Sequence, residues 1–495
     1  MKLQSKKWTV ACTWRTPWLL GVICVAMLCS GCSYKKTMDD ARKMYTAGNF
    51  QGAAASVSKA AQKEIKSDMP QKWEKDAIAY LLDAASLRRA AGEFQASNKL
   101  LTKAMEGMDY FDDEAPEISL SNELASVVIN QAATKYRGYV QDRVMAGTYM
   151  ALNALQTGDR DNVLPALKRA NRAQEELVEK KLARIEKAQS KIKENEKGVD
   201  WGEADKSRNG SEWQSNEDWK AADAELQQHV PDLSASGGYR NPYMMYLYGL
   251  IGLGSTDRDD QETARKFIES VQGLIGANKF IEADRAAVVA AQAGNPLEPT
   301  TYVFFETGLA PRRGEVNITI PFFIRNNKGT HTYLFPIVFP VLKFQKDFVH
   351  HLQVQAGSTT ERTTRLASMD KLIAREFKDE QPLIITKALA SGAVKLTAQI
   401  AADQAKGDAG TALQIVSRLY AGATNQADLR TWQTLPKEVQ FCRISTPQDR
   451  RITIIVPGAN QQHQSVTVEP GTMNIVIVRS ISRGTPVTIS QARIK

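Results

Sequence analysis

The side chains able to do chemistry are few and scattered along 495 residues. Five histidines occur, His229, His331, His350, His351 and His463. The adjacent pair His350-His351 would point to opposite faces of a strand and so could not chelate one ion together. H-E-x-x-H, paired C-x-x-C, Walker A and G-x-S-x-G motifs are all missing. Gly249, Gly252 and Gly254 do not follow the dinucleotide fingerprint order and sit on or at the end of an apolar helix. Glu306, just ahead of Gly308, is an acid with no assignable partner for two-carboxylate chemistry. The expectation is a non-enzyme with no catalytic residue, no metal and no cofactor.

Two clusters suggest binding instead. In Gln426–Pro436, Asp428 and Arg430 can form a charge-assisted pair and Trp432 can cover the guanidinium. That trio reads either as a ligand platform or as a lock joining a helical insert to the following strand. Trp201, Trp213 and Trp219 punctuate an otherwise polar stretch. They read either as anchors for a partner protein or as parts of a solvated helical hairpin with a partly disordered tip.

Positioning begins at the N-terminus. Residues 1–31 hold Lys2, Lys6, Lys7 and Arg15 and no acid, and the apolar run Trp18–Leu28 is too short for a membrane span of about 20 residues. This is the layout of a secretory signal. It ends in Leu28-Cys29-Ser30-Gly31-Cys32, which resembles the bacterial lipobox, although Cys29 stands where Leu is usual. The resemblance implies acylation of Cys32 and, with Ser33 following instead of an Asp, the outer membrane facing the periplasm. Only Cys442 would then remain as a free thiol, so no intramolecular disulfide is available.

From 32 to 298 the chain is rich in Ala, Leu, Lys, Glu and Gln. Tyr45-x-x-Gly48-Asn-Phe50-x-x-Ala53-x-x-x-Val57 is similar to the turn and second helix of a tetratricopeptide repeat. Gly92-Glu-Phe94-x-x-Ser97-x-x-x-Leu101-x-x-Ala104 repeats it. Gly158-Asp-Arg160-x-x-Val163-x-x-x-Leu167-x-x-Ala170 is a weaker copy, and Ala264-x-x-x-Ile268-x-x-Val271 keeps only the helix. Glycine would end each first helix in a left-handed turn, and small residues would let paired helices approach. Residues 171–228 interrupt the array as a charged helical hairpin.

At Asn295–Pro299 the period changes to that of strands. Short strands are expected across 299–495, with a helical pair at 369–377 and 382–405 inserted among them. The fold class is therefore α+β: a tetratricopeptide-like α-solenoid or helical bundle over 32–298, then a β-sandwich-like domain over 299–495 with a helical insert at 369–405. Charge divides the same way. The chain carries +9 overall and +5 without residues 1–31; residues 299–495 carry +10 and residues 32–298 carry −5. A basic second half makes anionic envelope polymers plausible ligands through long-range attraction, whereas the export signal excludes nucleic acid.

Four segments together resemble a family of uncharacterised, tetratricopeptide-like bacterial lipoproteins. They are Tyr139–Glu176 with Leu152-Asn-Ala-Leu155 and Gly158-Asp159; Asn241-Pro-Tyr243 with Tyr246-x-x-Gly249; Phe304-Phe-Glu-Thr-Gly308-Leu-Ala-Pro311; and Ala427-Asp-Leu-Arg-Thr-Trp432-x-Thr-Leu-Pro436. The resemblance implies an envelope lipoprotein, in some genomes encoded beside lipoprotein activators of penicillin-binding proteins. The expected function is a periplasmic scaffold that holds an envelope protein, possible roles including peptidoglycan synthesis. The alternative is a carbohydrate- or peptidoglycan-binding module, with or without weak hydrolase activity.

Overall fold

A computed structural model describes residues 33–114, 134–196, 212–230, 238–326, 329–404, 427–457 and 462–495. Cys32 and Trp201 lie outside them. Helices come first: α1 (33–46), α2 (Phe50–Glu64), α3 (Ala77–Ala90), α4 (Phe94–Asp109), α5 (Val140–Thr157), α6 (Val163–Glu196), α7 (Glu217–His229), α8 (Pro242–Gly254), α9 (Arg258–Ile275) and α10 (Lys279–Gln292). Strands β1 (Thr300–Thr307), β2 (Arg312–Asn326), β3 (Gly329–Lys343), β4 (Gln353–Ala356), β5 (Thr359–Arg362) and β6 (Thr364–Ser368) follow. Then come α11 (Met369–Gln404), β7 (Glu438–Ser445), β8 (Arg451–Val456), β9 (Gln462–Thr467), β10 (Met473–Ser480) and β11 (Thr488–Arg493). The class is α+β, a helical first half followed by sheets.

The repeated turns have one geometry. Gly48, Gly92 and Gly158 adopt φ of 81°, 80° and 76°. At each, the following residue's N–H returns to the helix before it: Asn49 to Met44 O at 2.9 Å, Glu93 to Arg88 O at 2.9 Å, Asp159 to Ala154 O at 2.9 Å. These are the 6→1 bonds of a glycine-terminated helix, which satisfy carbonyls that would otherwise lack donors. Consecutive helices from α2 to α6 then pack against one another in order. Their small residues permit it: a Cβ on Gly147 of α5 would meet Ala170 of α6 at 2.8 Å. Gly249 and Gly252 serve the same end, because a Cβ on Gly252 of α8 would sit 2.6 Å from Asp260 O in α9.

The main sheet has the order β11-β10-β1-β7-β6, parallel between β1 and β10 and antiparallel elsewhere. All eight residues of β1 are buried, so both faces of this strand are covered. Alternation assigns the faces. Tyr302, Phe304 and Glu306 meet the helices: Tyr302 Oη donates to Asp284 of α10 at 2.8 Å, and Tyr243 and Tyr246 of α8 contact the Phe304 ring. On the opposite face Thr307 donates to Val349 O, and Thr363 donates to Gln440 of β7. Those bonds lead into the second sheet, β5-β4-β8-β9. A single apolar core consequently runs from Tyr34 to Ile494 without a break at residue 298.

Two expectations need correction. The helical pair at 369–377 and 382–405 is one helix, α11, with Pro382 inside it. Proline there removes one N–H from the ladder, but α6, α7 and β3 pack along α11 and hold it. Trp213 and Trp219 are not exposed partner anchors. They are 5% and 7% exposed and pack on Phe339 of β3, Trp213 in parallel stacking with ring centroids 5.1 Å apart. With Ile385 and Leu389 of α11 they cover one face of the β2–β3 ribbon. The apolar face of the ribbon needs a second layer to bury it, and the tryptophans together with α11 supply that layer. Trp219→Ala is expected to lower stability by about 3 kcal/mol, measured by urea unfolding; a change below about 0.5 kcal/mol, the scale of a surface substitution, would show that the tryptophan contributes no packing there.

Candidate binding cleft

The segment 427–436 is fastened to the helices. Arg430 is 2% exposed. Its Nε and Nη2 donate to the two Asp428 oxygens at 2.8 and 2.9 Å, and Nη1 donates to Thr134 O at 2.6 Å and Lys75 O at 2.9 Å. Trp432 is fully buried, its Nε1 donating to Ser86 Oγ of α3 at 2.8 Å. One Asp83 oxygen accepts from the Gln433 and Thr434 N–H groups, both at 3.0 Å, and from the Thr434 hydroxyl at 2.9 Å. Burial nevertheless outweighs those bonds and pushes the Asp83 carboxyl up to about 8. Asp428, Arg430 and Trp432 thus form a lock, but onto α3 and not only to the next strand. Arg430 and Trp432 offer a ligand no surface; Asp428 alone reaches a cavity.

That cavity belongs to a two-chamber cleft. The larger chamber, about 290 Å³, lies between the start of α5, the middle of α6 and α11. The smaller, about 90 Å³, adds the loop 134–139, Arg313 of β2 and Asp428. Gly138, Tyr139, Arg184 and Glu380 line both. Tyr139 forms the partition, with the Arg313 guanidinium 4.7 Å above its ring.

Among the described residues, cations outnumber carboxylates along the cleft. Lys135, Arg137, Arg143, Lys180, Lys181, Arg184, Lys187, Arg313 and Lys387 line it against Asp112, Glu376, Glu380 and Asp428. The carboxylates are already engaged. Glu376 accepts from the N–H groups of Val140 and Gln141 at 2.7 and 3.2 Å, occupying the positive end of α5, and pairs with Lys181 at 2.7 Å. Glu380 receives Lys181 at 3.0 Å and Arg313 at 3.1 Å. Burial raises the Glu380 carboxyl, but Lys181, Arg313 and Arg184 more than compensate and hold it below the usual range. Burial, then repulsion from Arg137, lowers Arg184 to about 9, and burial lowers Lys387 to about 8. Among the described residues the Arg184 Nε is buried with no hydrogen-bond partner. Such a set of cations favours an anion.

The other candidates are dispersed. Glu306 is 3% exposed beneath the hydroxyls of Tyr243 at 3.0 Å and Tyr149 at 3.4 Å, which marks a helix–sheet contact. The His229 ring stacks on Phe344 at 3.7 Å. His350 and His351 face Arg483 and Arg362 respectively. Cys442 is a buried free thiol whose pKa burial raises. Among the described residues no group of three or more His, Cys, Asp or Glu side chains could hold a metal ion, and no helix is long and apolar enough to cross a membrane.

The cleft was missed at the sequence level because its cations lie up to 252 positions apart, from Lys135 to Lys387. One signal was available. Lys180, Arg184 and Lys187 recur at i, i+4 and i+7, a single stripe on a helix. Compared with known proteins, the chain matches no family model, and no curated protein or solved structure is significantly similar to it.

Proposed function

We propose that this chain is a non-enzymatic scaffold of the bacterial envelope, anchored in the outer membrane through acylated Cys32 and holding an anionic envelope component in the cleft. The observation that carries this reading is the excess of cations over carboxylates among the described residues lining the two chambers. Long-range attraction would draw an anion in, and partial burial would strengthen its contacts. The tetratricopeptide-like array is supported by the three matching glycine turns, and the sandwich-like reading by the second sheet laid over the first. Burial of Trp213 and Trp219 moves the weight from a tryptophan-anchored protein contact to the cleft.

The test is made in cells with the full chain. Cys32→Ala is expected to move the protein from the membrane fraction to the soluble fraction. A photo-crosslinking residue placed at Lys187 should trap one envelope component, and Arg184→Glu should abolish the adduct while the fold, followed by circular dichroism, persists. An adduct undiminished by Arg184→Glu would overturn the cleft as the binding site. Membrane retention of the Cys32→Ala chain would overturn the anchor. The second reading, a peptidoglycan-binding module, is favoured by the same cations, since stem peptides carry carboxylates; it requires saturable, Arg184-dependent co-sedimentation with purified sacculi.

A further inference from the structure

The two chambers differ in chemistry, and the difference narrows the ligand. Phe111, Val140, Leu177 and Ala183 give the larger chamber an apolar wall. The smaller is dominated by charge, with Arg313 and Asp428 at its far side. Arg184 stands on the boundary, lining both, with its Nε directed to no hydrogen-bond acceptor. A polysaccharide or an acidic peptide would use the cations but leave the apolar wall uncovered. An amphiphile with an anionic head would use both.

The chain's own start points the same way. Tyr34, two residues after Cys32, donates its hydroxyl to Thr431 O at 3.2 Å. The same segment sends Asp428 into the smaller chamber, and Arg430 binds the carbonyl of Thr134, another residue of its wall. The segment that lines the polar chamber therefore also receives the first helix next to the anchoring cysteine.

We infer that the cleft binds an anionic glycerophospholipid of the membrane to which the chain is tethered, its phosphate against Arg184 and its acyl chain along the Leu177–Ala183 wall. This rests on the reading of the cleft as an anion site and, for the source of the lipid, on the proposed anchor at Cys32. A phosphate there would supply the acceptor that Arg184 Nε lacks among the described residues and offset the repulsion from Arg137, which adds to burial in lowering the pKa of Arg184. Charge-assisted bonds of this kind are roughly twice as strong as neutral ones.

The test uses the chain from residue 32 with Cys32→Ser, titrated calorimetrically with dihexanoyl phosphatidylglycerol, dihexanoyl phosphatidylcholine and inorganic phosphate. The phosphatidylglycerol is expected to bind at least about tenfold more tightly than either of the others, a difference of about 1.4 kcal/mol. Arg184→Gln should remove that preference, and because Arg184 also offsets the buried charge of Glu380 the variant is compared at a temperature where circular dichroism shows it fully folded. Ala183 is exposed on α6 where it lines the chamber, so Ala183→Trp should fold and weaken the lipid alone. Equal binding of the two lipids would overturn the inference. Inorganic phosphate binding as tightly as phosphatidylglycerol, with Ala183→Trp silent, would overturn the lipid while leaving the anion site intact. No binding of any probe would overturn both.

Discussion

Replacing Arg430 with methionine is expected to destabilise the protein by about 3–5 kcal/mol near neutral pH, the range for breaking a buried ion pair from one side. The side chain is 3% exposed and makes a two-pronged bond to Asp428, a contact with Asp76 at 3.3 Å and bonds to two backbone carbonyls. Methionine fills part of the volume but leaves Asp76 and Asp428 without their cation and the carbonyls of Lys75 and Thr134 without this donor. Burial already raises the Asp76 carboxyl despite Arg430, so the loss should be felt as proton uptake there as well as lower stability. Adding Asp428→Asn should restore part of the loss, since one uncompensated charge is then removed. Urea unfolding of the two variants checks this; a double variant no more stable than Arg430→Met would show that charge is not the cause.

The second large effect concerns pH. Asp83 is buried, with its carboxyl pushed up to about 8 from 3.8; burial likewise raises Asp142 to about 7 and both Asp284 and Asp370 to about 6. Over this window the folded chain holds protons that the unfolded chain has released. Stability from these groups is full below about pH 4 and falls as pH rises through each folded-state value. A tenfold change in proton affinity is worth about 1.4 kcal/mol, so Asp83 by itself amounts to something on the order of 5 kcal/mol between pH 4 and 8. Asp83→Asn keeps an oxygen for Gln433 and Thr434 and cannot ionise. It should therefore be close to neutral at pH 5 and clearly stabilising at pH 8.5. Unfolding free energies measured at the two pH values decide the matter, and an equal effect at both would refute the raised titration.

Both predictions arise where the chain returns to α3 after more than 340 residues, and that return separates what sequence shows from what it hides. Local features were legible. Glycine at 48, 92 and 158 marks a left-handed helix end because other residues adopt that backbone at a cost, and the β-branched and aromatic residues of β1 and β7 mark strands. Asp428 and Arg430, two residues apart, could be paired on sight.

Partners across distance were not legible. Nothing in the spacing tells Trp432 to bond Ser86, or Trp213 and Trp219 to stack on Phe339 instead of meeting a partner. Their surroundings come from elements more than 100 residues away, and a polar neighbourhood in sequence says little about neighbours in space. The same holds for the cleft: Arg137, Arg184 and Arg313 each look like a solvated charge until α5, α6, β2 and α11 bring them together.

The sequence by itself determined an α+β chain with helices first, the turns that end those helices, and where its charge divides. The tertiary structure decided that both halves share one core, that Trp213 and Trp219 are buried in a separate cluster against the β2–β3 ribbon, and that scattered cations converge on a cleft. The physical reason is range. Backbone preference and capping act over a few residues, whereas burial and electrostatics depend on which surfaces the folded chain presses together.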